Sequence, residues 1–244
     1  MMQRHTRRSA IALPEHSLIY FSTPKVASST IKATLWRLGL GDPEAIPPEP
    51  IHEAGEESPL KWPPELDFED LLKWMNQPEY RRFCFVRNPY SRLLSCYLHK
   101  IKGRGNRPNV EVLNLRGSVL DAGSTTEMTF TEFIDAVSRQ TPMKMNPHWR
   151  VQTVHLLWDR ISYDFVGRIE DFGSDLDRLG AVLGVDLRPY LHVKNKHQTG
   201  ASDAVGEYYT PELQERVHAI YQSDFEAFGY SPGLPQIGNS RGGA

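Results

Sequence analysis

Two short runs in this chain of 244 residues carry side chains suited to holding an anion at one point. The first is Pro24-Lys25-Val26-Ala27-Ser28-Ser29-Thr30, which follows an apolar run and opens a helical pattern. A strand that ends in a tight loop and starts a helix gathers backbone N–H groups at one place, and the helix dipole adds partial positive charge. Lys25 adds a compact charge, and Ser28, Ser29 and Thr30 add hydroxyl donors. The usual triphosphate loop, GxxxxGK[ST], puts its lysine after a glycine. Here the lysine comes first and neither glycine is present, which argues against a kinase or ATPase. The bland alternative is a serine-capped helix beside a surface lysine. The second run is Arg87-Asn88-Pro89-Tyr90-Ser91-Arg92-Leu93-Leu94-Ser95. Arg87 closes an apolar run with a rigid fork of donors, and Ser95 follows two turns into the next helix. A solvated basic helix is the alternative there. Ligands of open α/β sheets bind outside the carboxyl ends of strands, so both runs are expected to face one crevice.

The elements that must position these residues alternate between strand and helix. Leu18–Phe21 reads as a strand, and Ile31, Leu35 and Leu38 predict a helix over Ser28–Leu40. Gly41 to Pro64 is rich in Pro and Glu and reads as a loop; Phe68–Met75 reads as a short amphipathic helix. The unbroken apolar run Phe83–Val86 suits a parallel strand covered on both faces. Pro89 opens a helix predicted to run to about Lys102. Gly103 to Thr129 has little periodicity and reads as a long loop or insertion, of a length typical of functional lids or of disorder. Helices are predicted over Phe130–Val137 and Asp171–Leu183, with a strand over Tyr163–Gly167. A last helix is expected from the Thr210 cap and Pro211 to Gly229. This pattern predicts an α/β fold in three α/β/α layers around a central parallel sheet. A single domain is expected over 17–230, with a disordered N-terminus at 1–16 and a disordered tail at 231–244.

Composition narrows the function classes. The formal net charge is −2, so no global field points to nucleic acid or an anionic membrane. Anion binding must come from local clusters, and Arg81, Arg82, Arg87, Arg92, Lys100, Lys102, Arg104 and Arg107 crowd one segment. The two cysteines, Cys84 and Cys96, form no CxxC pair and fit a reducing compartment. No apolar run reaches transmembrane length and no secretory leader is apparent, so a soluble, cytoplasmic protein is expected. No His/Cys/Asp cluster has metal-ligand spacing.

The Pro-Lys loop resembles the 5′-phosphosulfate loop of sulfotransferases, and the Arg87…Ser95 run resembles their 3′-phosphate motif. Asn88-Pro89, Arg92-Leu-x-Ser-x-Tyr, His148-Trp149 with Gln152, Asp164–Glu170, Tyr208–Leu213 and Tyr221…Tyr230 are similar, in the same order, to the carbohydrate branch, sulfotransferase family 2. The resemblance covers roughly Ser17 to Tyr230 and implies a P-loop-like sulfotransferase fold. It implies 3′-phosphoadenosine 5′-phosphosulfate as donor, held by Pro24–Thr30, Arg87 and Ser95, with no metal. A hydroxyl of a carbohydrate or glycolipid is the implied acceptor, and nucleic acid is not. Two departures stand out. Val26-Ala27 replaces the Gly or Cys of many members, and the N-terminal anchor of animal Golgi members is absent, which implies a soluble, bacterial relative.

In-line sulfuryl transfer needs a stabiliser of the departing phosphate, for which Lys25 is placed, and a base for the acceptor proton. Histidine is the first choice near neutral pH. His52 lies in the interval where related enzymes carry a catalytic His or Glu, with Glu53 beside it as an alternative. His148 belongs to the family-like His-Trp segment. Lys196, in the basic run after His192, corresponds to a segment that closes over the donor in related enzymes, or is simply solvated charge. Arg168 either reaches the donor or pairs with Glu170 or Asp171 as scaffolding. Two other classes remain open: a nucleotide-dependent phosphotransferase, and a non-catalytic module that binds the adenosine bisphosphate product or a glycan.

Overall fold

The computed structural model describes residues 9–49, 51, 58–62, 66, 68–102, 115, 128–192 and 200–235. In chain order they form β1 (Ala10–Leu13), β2 (Leu18–Phe21), α1 (Ser28–Leu40), α2 (Phe68–Met75), β3 (Arg81–Val86), α3 (Pro89–Cys96), α4 (Phe130–Ser138), β4 (Phe165–Arg168), α5 (Phe172–Leu183), α6 (Pro211–Ile220) and α7 (Gln222–Phe228), joined by loops and short helical turns. They fall into two compact units. One comprises residues up to 87 together with 155–195; the other comprises 88–154 and 196 onward.

The first unit is built on a sheet of order β1-β2-β3-β4. β2, β3 and β4 run parallel, with Phe21 opposite Cys84 and Val86 opposite Arg168. Their carboxyl ends therefore reach the same side of the sheet. Alternate residues Leu18, Tyr20, Phe83, Phe85 and Phe165 share a core with Ile31, Leu35 and Leu38 of α1 and with Leu176 and Leu179 of α5. The residues between them on the strands, such as Ile19 and Cys84, are also fully buried. Both faces of the central strands are covered, as their unbroken apolar sequence requires. Gly167 lies opposite Phe85, and a Cβ there would fall 2.3 Å from the Phe85 ring. The ring can fill the core only because β4 has no side chain at that register.

Two expectations need correction here. Ala10–Leu13 is not part of a disordered terminus: it pairs antiparallel with β2, from Ala10 opposite Phe21 to Leu13 opposite Leu18, and adds an antiparallel edge to the parallel strands β2, β3 and β4. Four apolar residues behind a basic stretch give too short a signal to read as a strand, yet all four are buried. The far edge of β1 is closed by an isolated bridge, with Ala12 and Lys61 exchanging hydrogen bonds of 3.0 and 2.8 Å; pairing of this kind blunts an open sheet edge. Ser231 to Pro235 is likewise not loose. The Pro232 carbonyl accepts hydrogen bonds from Tyr90 Oη at 2.7 Å and Gln214 Nε2 at 3.0 Å. Residues 1–8 and 236–244 lie outside the described residues.

The second unit has its own core, centred on Leu93, Leu94 and Tyr97, Phe133 and Val137 of α4, and Val217 of α6. α3 continues through a wider π turn over Tyr97–Ile101, close to the predicted end at Lys102. α4 opens on a capping box: Thr129 Oγ1 accepts from Glu132 N–H while Glu132 holds the Thr129 N–H. Leu115 and Met128, from the segment read as a long loop, are buried in this core; most of 103–129 lies outside the described residues. The single last helix expected to Gly229 is two helices, broken at Tyr221 (φ −110°, ψ 20°). Two buried polar groups account for the break. Tyr221 donates its hydroxyl to the Trp149 carbonyl at 2.6 Å, and Asp224 accepts from the Gln152 and Thr153 N–H groups at 2.8 Å each.

Gly167→Ala forces a methyl into the Phe85 ring and is expected to cost about 1–3 kcal/mol. Urea unfolding measures it, and an unchanged midpoint would contradict the close approach.

Candidate functional site

The run from Ser22 to Thr30 is shaped by its backbone. At the end of β2, Ser22 N–H donates to the Ser9 carbonyl at 2.8 Å. Lys25 (φ 71°) and Ala27 (φ 52°) both take the left-handed conformation, and neither is glycine. Each costs roughly 1–2 kcal/mol relative to the ordinary regions. Val26 between them is fully buried in the sheet–helix core, which anchors the loop and offsets that cost. Such strain persists only where the surroundings over-determine it, and it clusters at binding and catalytic sites.

Ala27 is also the N-cap of α1, and no side chain caps the helix. The first intrahelical bond is Ile31 N–H to the Ala27 carbonyl at 3.1 Å, so the N–H groups of Ser28, Ser29 and Thr30 come before it. The serine-capped helix is therefore not what the loop contains. Left-handed residues alternating through a turn that runs into an uncapped helix create the N–H concavity that binds oxyanions. Thr23 adds a fully buried hydroxyl with no hydrogen-bond partner among the described residues.

Arg87, directly after β3, donates from Nη1 to the Lys25 carbonyl at 3.3 Å, so it braces the loop from the neighbouring strand. Arg168 ends β4, and its backbone N–H donates to Asp175 Oδ2 at 2.6 Å. Lys25, Arg87 and Arg168 thus follow or end three adjacent parallel strands on one side of the sheet. Other described members of the central basic cluster have partners of their own. Arg82 pairs with Asp164 at 2.9 Å, and Arg81 donates to the Pro78 carbonyl. Burial alone would raise the Asp164 carboxyl; hydrogen bonds and charge from Arg82 outweigh it and hold the group below its ordinary value. Burial pushes the Cys84 thiol far up, leaving it protonated.

Ser95 and His148 belong to the second unit. Ser95 is buried on α3, two turns from its start. His148 Nδ1 lies 2.8 Å from Asn146 Oδ1, which makes Nε2 the basic nitrogen of the neutral ring. The segment is framed by Arg92, whose buried guanidinium donates to the Arg150 carbonyl at 2.8 Å and the Pro147 carbonyl at 3.1 Å. His52, Glu53 and Lys196 lie outside the described residues.

The sequence reading missed His155. Its Nε2 lies 3.0 Å from the Ser22 carbonyl, at the start of the loop, with 8% of the residue exposed. A carbonyl only accepts, so Nε2 carries the proton and Nδ1 is basic. The partners are 133 residues apart, and no spacing rule would have joined them. Among the described residues, no group of three or more His, Cys, Asp or Glu side chains is placed to hold a metal, and no helix is long and apolar enough to cross a membrane.

A Pro-Lys loop with two left-handed residues thus joins a parallel strand to a helix, and an arginine from the next strand braces it. The chain belongs to the sulfotransferase family, whose pattern matches residues 8–231. It is similar to carbohydrate sulfotransferase 12 of Mus musculus, 27% identical over 88% of this chain and 58% of that protein. It is 28% identical to carbohydrate sulfotransferase 11 of Rattus norvegicus over 89% of this chain and 65% of the relative. With carbohydrate sulfotransferase 14 of Danio rerio it shares 32% identity over 74% of this chain and 51% of the relative. The chain thus spans a little over half to two thirds of the length of these relatives. No solved structure matches it.

The backbone at Ala27 is directly testable. Ala27→Gly relieves the left-handed strain, roughly 1–2 kcal/mol, against about 0.4–1 kcal/mol of added chain entropy, so stability is expected to hold or rise slightly. Ala27→Val puts a branched side chain there and is expected to cost on the order of 1–3 kcal/mol. Thermal unfolding of both variants reads the difference; equal melting of glycine and valine variants would remove the left-handed assignment.

Proposed function

We propose that this chain is a sulfotransferase that moves the sulfuryl group of 3′-phosphoadenosine 5′-phosphosulfate to a hydroxyl of a carbohydrate or glycoconjugate. The observation that carries the reading is the β2–α1 loop, with its uncapped helix start and left-handed Lys25 and Ala27. The carbohydrate acceptor is supported by the names of the relatives, all carbohydrate sulfotransferases. Two buried thiols outside any disulfide fit a reducing compartment.

In this reading Pro24 to Thr30 seats the 5′-phosphosulfate on backbone N–H groups. Arg87 and Ser95 take the 3′-phosphate, and Arg168 and Lys196 add charge around the donor. The acceptor oxygen attacks sulfur in line, the S–O bond to the 5′-phosphate breaks, and Lys25 stabilises the charge that develops on the departing phosphate. A histidine takes the acceptor proton: His52 first, by its position in the chain, with His148 as the other candidate through its basic Nε2. Glu53 remains the alternative base. The donor motifs and the base candidates all fall within one domain proposed to span 17–230.

Lys25→Ala and Arg87→Ala should each lower kcat/KM by about a hundredfold or more while melting within a few degrees of the parent. The assay is transfer of labelled sulfate from the donor to a panel of glycans and glycolipids. Full turnover in both variants would sink the reading. Thermal shifts compare adenosine 3′,5′-bisphosphate with ATP–magnesium, and stabilisation by ATP–magnesium alone would favour a phosphotransferase.

A further inference from the structure

Lys32 lies in the second turn of α1, four residues after Ser28 and on the same side of the helix. Its ammonium sits over the Trp62 ring, 5.3 Å from the centroid. Among the described residues no carboxylate pairs with it. Desolvation pushes the amine down to about 8, so it is still mostly charged at neutral pH. Trp62 is 8% exposed, and its buried indole Nε1–H has no hydrogen-bond partner among the described residues. A desolvated charge without a counter-ion and an unmet buried N–H are each costly, and a native structure rarely keeps either without a use.

Here both occur on one side-chain pair, beside the first turn of α1. Long helical side chains lean toward the N-terminus of their helix, which directs Lys32 back toward the turn that carries Ser28 and Ser29. The ring face holds the ammonium by cation–π attraction, which fixes its position without neutralising it. One ligand class meets the needs of both groups, a compact oxyanion that offers charge to the amine and an acceptor lone pair to the indole.

We propose that Lys32 and Trp62 form an oxyanion subsite next to the Pro-Lys loop, taking a sulfate, phosphate or carboxylate group. The pair itself needs only the geometry above; the identity of its ligand rests on the sulfotransferase reading. Two sources carry that chemistry there, the sulfuryl oxygens of the donor or an acidic substituent of the acceptor.

The test uses the full chain and two variants, Lys32→Met, which keeps length without charge, and Trp62→Phe, which keeps the ring without the N–H. Acetylation of Lys32 by acetic anhydride, read by mass spectrometry, is followed with and without sodium sulfate at constant ionic strength. Sulfate is expected to slow labelling of Lys32 about tenfold, also in a Lys25→Ala background, and Trp62→Phe is expected to remove most of that protection. A Lys32 labelling rate indifferent to sulfate, or protection lost with Lys25 but untouched by Trp62→Phe, would overturn the proposal. Steady-state kinetics then separate the sources. With a donor oxyanion, Lys32→Met raises the donor KM about tenfold and leaves the acceptor KM alone. With an acceptor anion it raises the KM of a uronate-bearing oligosaccharide and not that of its carboxyl-reduced counterpart. Neither KM moving would also overturn it. A chain that binds no adenosine 3′,5′-bisphosphate yet protects Lys32 with sulfate would fail the sulfotransferase reading and keep the subsite.

Discussion

Burial of Val26 between two left-handed residues is the constraint on which the site depends. A loop that turns Lys25 and Ala27 into the left-handed region would relax if its middle were free. The fully buried Val26 side chain ties that middle to the core shared by the sheet and α1. Arg87 braces the Lys25 carbonyl from β3, and His155 holds the Ser22 carbonyl one step earlier. Each tie acts on backbone rather than on a ligand-facing side chain. The N–H groups at the start of α1 are thereby held in place without a capping side chain, which a preorganised anion seat requires. Glycine at position 25 or 27 would reach the same conformation at lower cost; with Lys25 and Ala27 there, the packing of Val26 offsets the strain.

The sheet sets where such a loop can work. Parallel pairing of β2, β3 and β4 carries Lys25, Arg87 and Arg168 to one end of the first unit. Register depends on details of packing such as Gly167, which admits the Phe85 ring. At the opposite end, Arg82 and Asp164 bind across β3 and the approach to β4, with Asp164 accepting from both the backbone and the side chain of Arg82. Aromatic packing on one face and an ion pair at the amino end fix the strand alignment, and the carboxyl ends lead to Lys25, Arg87 and Arg168.

Much of this was legible in sequence because it rests on local rules. The β2 strand and the helix Ser28–Leu40 follow from an apolar run, helical spacing and Gly41, which caps α1 at φ 65°. The Pro89 start and the Thr210 cap are local for the same reason. What was missed depends on distant partners. β1 is a strand because β2 and Lys61 pair with its two edges. The break at Tyr221 follows from Trp149, Gln152 and Thr153, some seventy residues earlier in the chain. The basic cluster looked like one anion surface because charge is visible in sequence and its partners are not: Arg92 is buried against carbonyls and Arg82 is paired. His155 was passed over for the same reason.

The histidines show what a fold adds to a list of candidate bases. His148 and His155 are each held by one ring nitrogen, but by opposite ones: Nδ1 near the Asn146 amide in the first, Nε2 on the Ser22 carbonyl in the second. The partner fixes the tautomer, so the basic nitrogen is Nε2 in His148 and Nδ1 in His155. An acceptor hydroxyl can give its proton only to the basic nitrogen, so the two rings are not interchangeable. His155 spends its proton on the backbone of the anion loop, and protonating its other nitrogen would add positive charge next to that loop. It acts as a positioning residue there. His148 sits in a segment whose carbonyls are held by a buried guanidinium and whose continuation is held by Asp224. That frame fixes the segment through its backbone, and the Asn146 amide oxygen sets which nitrogen of the ring carries the proton.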